Sequence, residues 1–126
     1  MARDPRLYLV DIGQAAKLVE EFVHGKTLDE FRTDAMLRSA VERQFEIIGE
    51  AINQLSRVAP ELAARIPDAR RIVDFRNVLA HGYATVDGRV VWHATQTSLP
   101  QLQATVADML RPAAVDIKAL MNEGRD

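Results

Sequence analysis

Between positions 37 and 55 the chain places Leu37, Val41, Phe45, Ile48, Ile52 and Leu55 at steps of three and four. That spacing lines up one face of an α-helix. A strand cannot use it, because successive side chains of a strand point to opposite sides. The pattern runs for about five helical turns, starts after Thr33-Asp34 and reaches about Arg57. A helix of this length with one continuous apolar stripe must be covered by other helices, so the stripe sets the architecture of the chain.

The rest of the sequence supplies those helices. A first helix is predicted from about Pro5, a residue suited to the first helical position, to His24. Its stripe is Ile12, Ala15, Ala16, Val19, Phe22 and Val23, and Gly25 ends it as a left-handed cap. Thr27-Leu-Asp-Glu30 reads as a capping box for a short turn. Pro60 allows another short turn through Ala64, and Pro67 breaks the chain again. A third helix is predicted from about Asp68 to His81 with Ile72, Phe75 and Leu79 on its buried edge, and Gly82 stops it. A fourth begins near Arg89, bends at Pro100 and carries Leu102, Val106 and Leu110. A last helical piece, about Ala113 to Met121, belongs to a peripheral tail over residues 113–126. β-branched alternation is nearly absent. The expectation is one all-α domain over residues 1–126, an antiparallel bundle of four to five helices.

Composition narrows the class of function. Formal net charge is −2, so the chain as a whole does not attract nucleic acid. From Arg65 to Arg89 there are five Arg and three Asp, net +2, and the remainder carries −4. Any RNA contact is therefore local, with a shallow salt dependence. There is no cysteine, which removes disulfides, thiol nucleophiles and thiolate metal sites. No apolar stretch approaches the roughly 18 residues that span a bilayer, and Met-Ala-Arg-Asp-Pro-Arg at the start lacks the apolar run of a signal peptide. These features fit a cytoplasmic protein with no membrane association.

Common catalytic motifs are missing. There is no phosphate loop, no Gly-x-Ser-x-Gly elbow and no His-Glu-x-x-His pair, and nothing calls for a metal or other cofactor. Glu42, Glu46 and Glu50 recur at steps of four, but a solvated face aided by Arg38 and Arg43 explains them better than a cation site. Trp92 reads as a core or interface residue rather than a base-stacking platform. The stretch Arg76-Asn-Val-Leu-Ala-His-Gly-Tyr83 is different. It joins a permanent cation, an imidazole that titrates near neutrality and a phenol within eight positions. His81-Gly82 alone is ordinary, since a cation at a helix C-terminus complements the dipole and His24-Gly25 ends the first helix in the same way. The neighbours set it apart. Arg76 precedes His81 by five residues, roughly 140° around the helix, so the two side chains flank a groove that Tyr83 can reach.

At these residues the chain resembles the HepT-type toxins of the HEPN superfamily, whose signature is Arg-x4-His-x-Tyr. Arg43-Gln-Phe-Glu-Ile-Ile-Gly-Glu-Ala51 resembles that family's second-helix segment. Phe75 to Tyr83, followed by Val86-Asp87, resembles its core block. The likeness covers about residues 7–110, and the tail after Leu110 is longer than the pattern requires. It implies a helical bundle, a homodimer and a metal-independent endoribonuclease acting as a toxin. It also implies a partner, a minimal nucleotidyltransferase (MNT) antitoxin able to adenylylate Tyr83.

The residue types suit that chemistry. RNA can be cut without metal when its own 2′-hydroxyl attacks the adjacent phosphate. A base must take one proton, an acid must give one, and a cation must steady the phosphoryl oxygens. His81 is the candidate acid or base and Arg76 the candidate cation, with Asn77 holding the His81 ring or the ribose. One chain carries one copy of each, and a two-fold dimer carries two. The rival readings are a HEPN-type binding module that assists a nucleotidyltransferase without catalysis, and a purely structural helical dimer.

Overall fold

The structure is a computed structural model that describes residues 3–81, 87–111 and 121–122. Among these residues there are seven helices and no strand. They are α1 (Arg6–Val23), α2 (Leu28–Thr33), α3 (Ala35–Val58), α4 (Pro60–Ala63), α5 (Ala69–His81), α6 (Gly88–Gln96) and α7 (Ser98–Leu110).

The long stripe behaves as its spacing requires. Leu37, Val41, Phe45, Ile48, Ile52 and Leu55 are all buried, and they meet Leu9, Ile12, Ala16 and Val19 of α1 in one core. Leu99, Leu102 and Val106 of α7 close that core from the side of α1. Each fully buried aliphatic side chain contributes about 1.5–3 kcal/mol relative to exposure, so the α1–α3–α7 contact is the main source of stability. The chain reverses between α1 and α3, and the start of α1 (Tyr8, Asp11) lies beside the second half of α3 (Ile47, Gln54).

The connections are locally encoded. Gly25 has φ +73°, the left-handed conformation that ends α1. Thr27 and Glu30 form a complete capping box: Thr27 Oγ1 accepts from the Glu30 amide at 3.2 Å and Glu30 Oε1 accepts from the Thr27 amide at 3.1 Å. The box starts α2, whose Phe31 is fully buried and packs on Trp92 at 5.6 Å between ring centroids. Asp34 caps α3 by accepting from the Leu37 amide at 3.1 Å. Asp68, also at positive φ (59°), aims the chain into α5 after Pro67.

Two expectations need correction. The fourth predicted helix does not bend at Pro100 but breaks at Thr97, giving α6 and α7. Proline lacks the N–H that would bond the carbonyl four residues back, and its ring clashes with that carbonyl. Here that carbonyl belongs to Gln96, the last residue of α6. Restarting at Ser98 puts Pro100 in the first turn of α7, where its missing donor costs nothing. The second correction concerns α5. Ile72, Phe75 and Leu79 are half-buried rather than core residues, and no described side chain of α5 is fully buried. Most of the predicted tail helix, Ala113 to Met121, lies outside the described residues.

Candidate active site

Helix α5 packs chiefly on α3, and one contact dominates how closely. Gly49 of α3 has no side chain, and a Cβ built there would lie 2.6 Å from Arg76 Cγ and closer still to Arg76 Cβ. The stem of Arg76 therefore lies directly on the α3 backbone. Real carbon contacts have their optimum at about 3.5–4.0 Å, so no larger residue fits at position 49 with α5 where it is.

The guanidinium continues from this notch to two partners. Nη2 donates to Glu50 Oε2 at 2.7 Å and Nη1 donates to Asn77 Oδ1 at 2.9 Å. Glu50 is held in turn by Gln54 Nε2, which donates to Oε1 at 3.1 Å. Arg76 Nε is buried with no hydrogen-bond partner. The Arg76 and Glu50 side chains are 28% and 45% exposed, so the pair is worth no more than about 1 kcal/mol of stability. Its consequence is orientation. Around it lies a polar cleft of about 250 Å³, reached by Arg3, Tyr8, Arg43 and Glu46.

The other arginines of the basic window behave differently. Arg70 faces Asp74 at 3.8 Å and Arg71 faces Asp68 at 3.9 Å, both one turn away on the surface. Arg89 pairs with Asp87 at 2.8 Å, and this hydrogen bonding holds the Asp87 carboxylate down to about 2. Local pairing thus uses all three Asp of the window and leaves its net +2 on Arg65 and Arg76, of which Arg76 is the half-buried cation paired across helices.

Of the four residues singled out in the sequence, the structure brings Arg76 and Asn77 together and joins them directly. His81 is the last residue of α5, on the same helix as Arg76. Its side chain and Tyr83 lie outside the described residues. Gly49, Glu50 and Gln54 were not anticipated as neighbours of Arg76. A glycine inside a strongly periodic helix was the available signal, since such a residue marks close approach of another backbone or side chain. The three glutamates at steps of four diverge. Glu46 pairs with Arg43 at 3.3 Å, Glu50 with Arg76, and burial pushes Glu42 up from the usual carboxylate range. Among the described residues no group of three or more His, Cys, Asp or Glu is placed to hold a metal ion.

Comparison with known proteins bears on the same helices. The model of the ribonuclease HepT-like family matches residues 12–109, a span that holds α3, α5 and the Arg76–His81 segment. The chain belongs to the HepT-like ribonuclease family. By family it is an RNA endonuclease, with RNA as its class of substrate. "Probable ribonuclease HepT" of Thermococcus cleftensis is 36% identical over 82% of this chain and 93% of its own length. "Putative RNase TTE0752" of Caldanaerobacter subterraneus subsp. tengcongensis is 32% identical over 86% of this chain and 96% of its own. "Gamma-glutamylcyclotransferase and putative RNase MJ0434" of Methanocaldococcus jannaschii is 33% identical over 87% of this chain, which spans about half of that longer protein. No solved structure matches the chain at comparable significance. A larger groove of about 530 Å³, lined by Phe45, Ile72, Phe75, Val78, Val90 and Leu102, flanks α5. It is mostly apolar, with Asp68, Arg71, Asp74 and His93 also in its lining, whereas charged and polar side chains dominate the cleft around Arg76.

Proposed function

We propose that this HepT-like ribonuclease is the toxin of a toxin–antitoxin pair and cuts RNA without a metal ion. In this reading a nucleophilic 2′-oxygen attacks the neighbouring phosphorus while His81 of one protomer takes its proton. The P–O5′ bond breaks, and His81 of the other protomer gives a proton to the departing 5′-oxygen. Arg76 steadies the charge on the phosphoryl oxygens. The products are a 2′,3′-cyclic phosphate and a 5′-hydroxyl. The observation that carries the reading is the seating of Arg76. A permanent cation is fixed in the lining of a polar cleft, on the helix that ends in His81.

The homodimer belongs to the same proposal. A chain has one His81 and one Arg76, and a two-fold axis beside α5 supplies the second set. Support comes from α5 itself, whose Ile72 and Phe75 are only half-buried and whose Val78 is 42% exposed, beside the apolar groove. The antitoxin is an MNT-type nucleotidyltransferase that adenylylates Tyr83. An added AMP would place a bulky anion beside Arg76 and exclude RNA. The test is cleavage of an RNA pool by purified protein in EDTA. Arg76→Ala and His81→Ala should each lower the rate at least about 10²-fold. Full activity of His81→Ala would overturn the assignment. For the switch, Tyr83→Phe should escape adenylylation by the partner, and a Tyr83→Phe protein that is still modified and silenced places the switch elsewhere.

A further inference from the structure

Resting on the reading of Arg76 as the phosphate-binding cation, we infer that Glu50 is a positioning residue for the cleavage reaction, acting through Arg76. A guanidinium carries five N–H donors in one plane. In Arg76 the Nε–H is buried without a partner, one terminal nitrogen donates to Asn77 Oδ1 at 2.9 Å, and the other donates to Glu50 Oε2 at 2.7 Å. Two fixed partners at the two terminal nitrogens fix the plane of the group. They leave one N–H on each terminal nitrogen for a phosphoryl oxygen.

Glu50 is equipped for this task in two ways. Its second oxygen accepts from Gln54 Nε2 at 3.1 Å, one turn further along α3, so the carboxylate is itself oriented. Its neighbour Gly49 is the notch on which the Arg76 stem lies, and this brings the guanidinium within reach of the next residue on α3. Positions 49 and 50 thus set the stem and the head of one arginine, and Gln54–Glu50–Arg76–Asn77 is a single chain of hydrogen bonds across the α3–α5 contact. A half-exposed pair adds little to stability. Its effect is to hold the arginine where a phosphate in the cleft would meet it, since preorganised donors need no rearrangement as charge develops.

The experiment compares single-turnover RNA cleavage by the full chain with that of Glu50→Ala, Glu50→Gln, Arg76→Ala and the double variant Glu50→Ala/Arg76→Ala. Glu50→Ala should lower the cleavage rate at saturating RNA about 10–100-fold, shift the half-saturating RNA concentration less than about threefold, and leave the thermal midpoint close to that of the parent. Glu50→Gln keeps an acceptor and should fall between the parent and Glu50→Ala. Adding Glu50→Ala to Arg76→Ala should cause no further loss, because a positioning residue acts only through the group it positions. In nitrogen-15 spectra the buried Arg76 Nε–H should exchange faster with solvent in Glu50→Ala. Parent-level or faster cleavage by Glu50→Ala, alongside an inactive Arg76→Ala, would overturn this inference and leave the assignment of Arg76 standing. An active Arg76→Ala would instead overturn the functional reading on which it rests.

Discussion

Gly49→Ala isolates the contact on which the site depends. In α3 the new methyl would lie 2.6 Å from Arg76 Cγ, with Arg76 Cβ closer and the Ile72 carbonyl oxygen at 3.5 Å. Relief to an ordinary carbon separation requires α5 to move away by about 1 Å. Such overpacking costs about 1–3 kcal/mol, partly offset by about 1 kcal/mol from replacing a helix-interior glycine with alanine. Gly13→Ala in α1 is the control, because its methyl would meet only Val106 Cγ1, at 3.7 Å. That variant should gain about 0.5–1 kcal/mol. Urea unfolding followed by circular dichroism should therefore place Gly49→Ala about 1–3 kcal/mol below Gly13→Ala. RNA cleavage should drop about 10²-fold in Gly49→Ala alone, since a misplacement of about 1 Å is enough for that. If Gly49→Ala is as stable as Gly13→Ala and cleaves RNA like the parent, the argument that Gly49 seats Arg76 is wrong.

Three further outcomes test other parts of the account. Thr27→Ala removes the capping box of α2 and loosens the seat of Phe31, and it should cost about 1 kcal/mol in urea unfolding. Val78→Glu sets a charge beside the apolar groove flanking α5, so the proposed dimer should dissociate in sedimentation, and an unchanged assembly state would place the interface elsewhere. Asp87 caps α6 with a folded-state pKa lowered to about 2, so its contribution is fully present above the ordinary aspartate range and is lost progressively as pH falls from that range through about 2. An NMR titration of its carboxyl should show that midpoint, and Arg89→Ala should move it upward.

The parts of the fold legible in the sequence were those set by local rules. The stripe of α3, the Thr27–Glu30 box, the Gly25 cap and the break at Pro67 each depend on residues a few positions apart. Pro100 signals a break without fixing its place, because a proline that ends one helix can equally sit in the first turn of the next, and only packing chooses. The half-burial of α5 is not legible either, since Ile72, Phe75 and Leu79 have the right spacing for a core face, but α5 packs chiefly on α3 and its Ile72 and Phe75 line an open groove. In the site, Arg76 and Asn77 were visible as neighbours in a motif. Glu50 was not, because it lies 26 residues from Arg76, and their meeting depends on the register of two packed helices. By spacing alone Glu50 belongs with Glu42 and Glu46 on a solvated face. Gly49 carried the missing information, as a residue that a strong helix would otherwise replace with alanine.

The most direct test of the central claim is end-group analysis of RNA incubated with purified protein in EDTA, run in parallel with His81→Ala. Metal-free attack by the 2′-oxygen predicts fragments ending in 2′,3′-cyclic phosphate and 5′-hydroxyl, formed at the same rate with and without the chelator and absent with His81→Ala. Cleavage abolished by EDTA, or undiminished in His81→Ala, would contradict it.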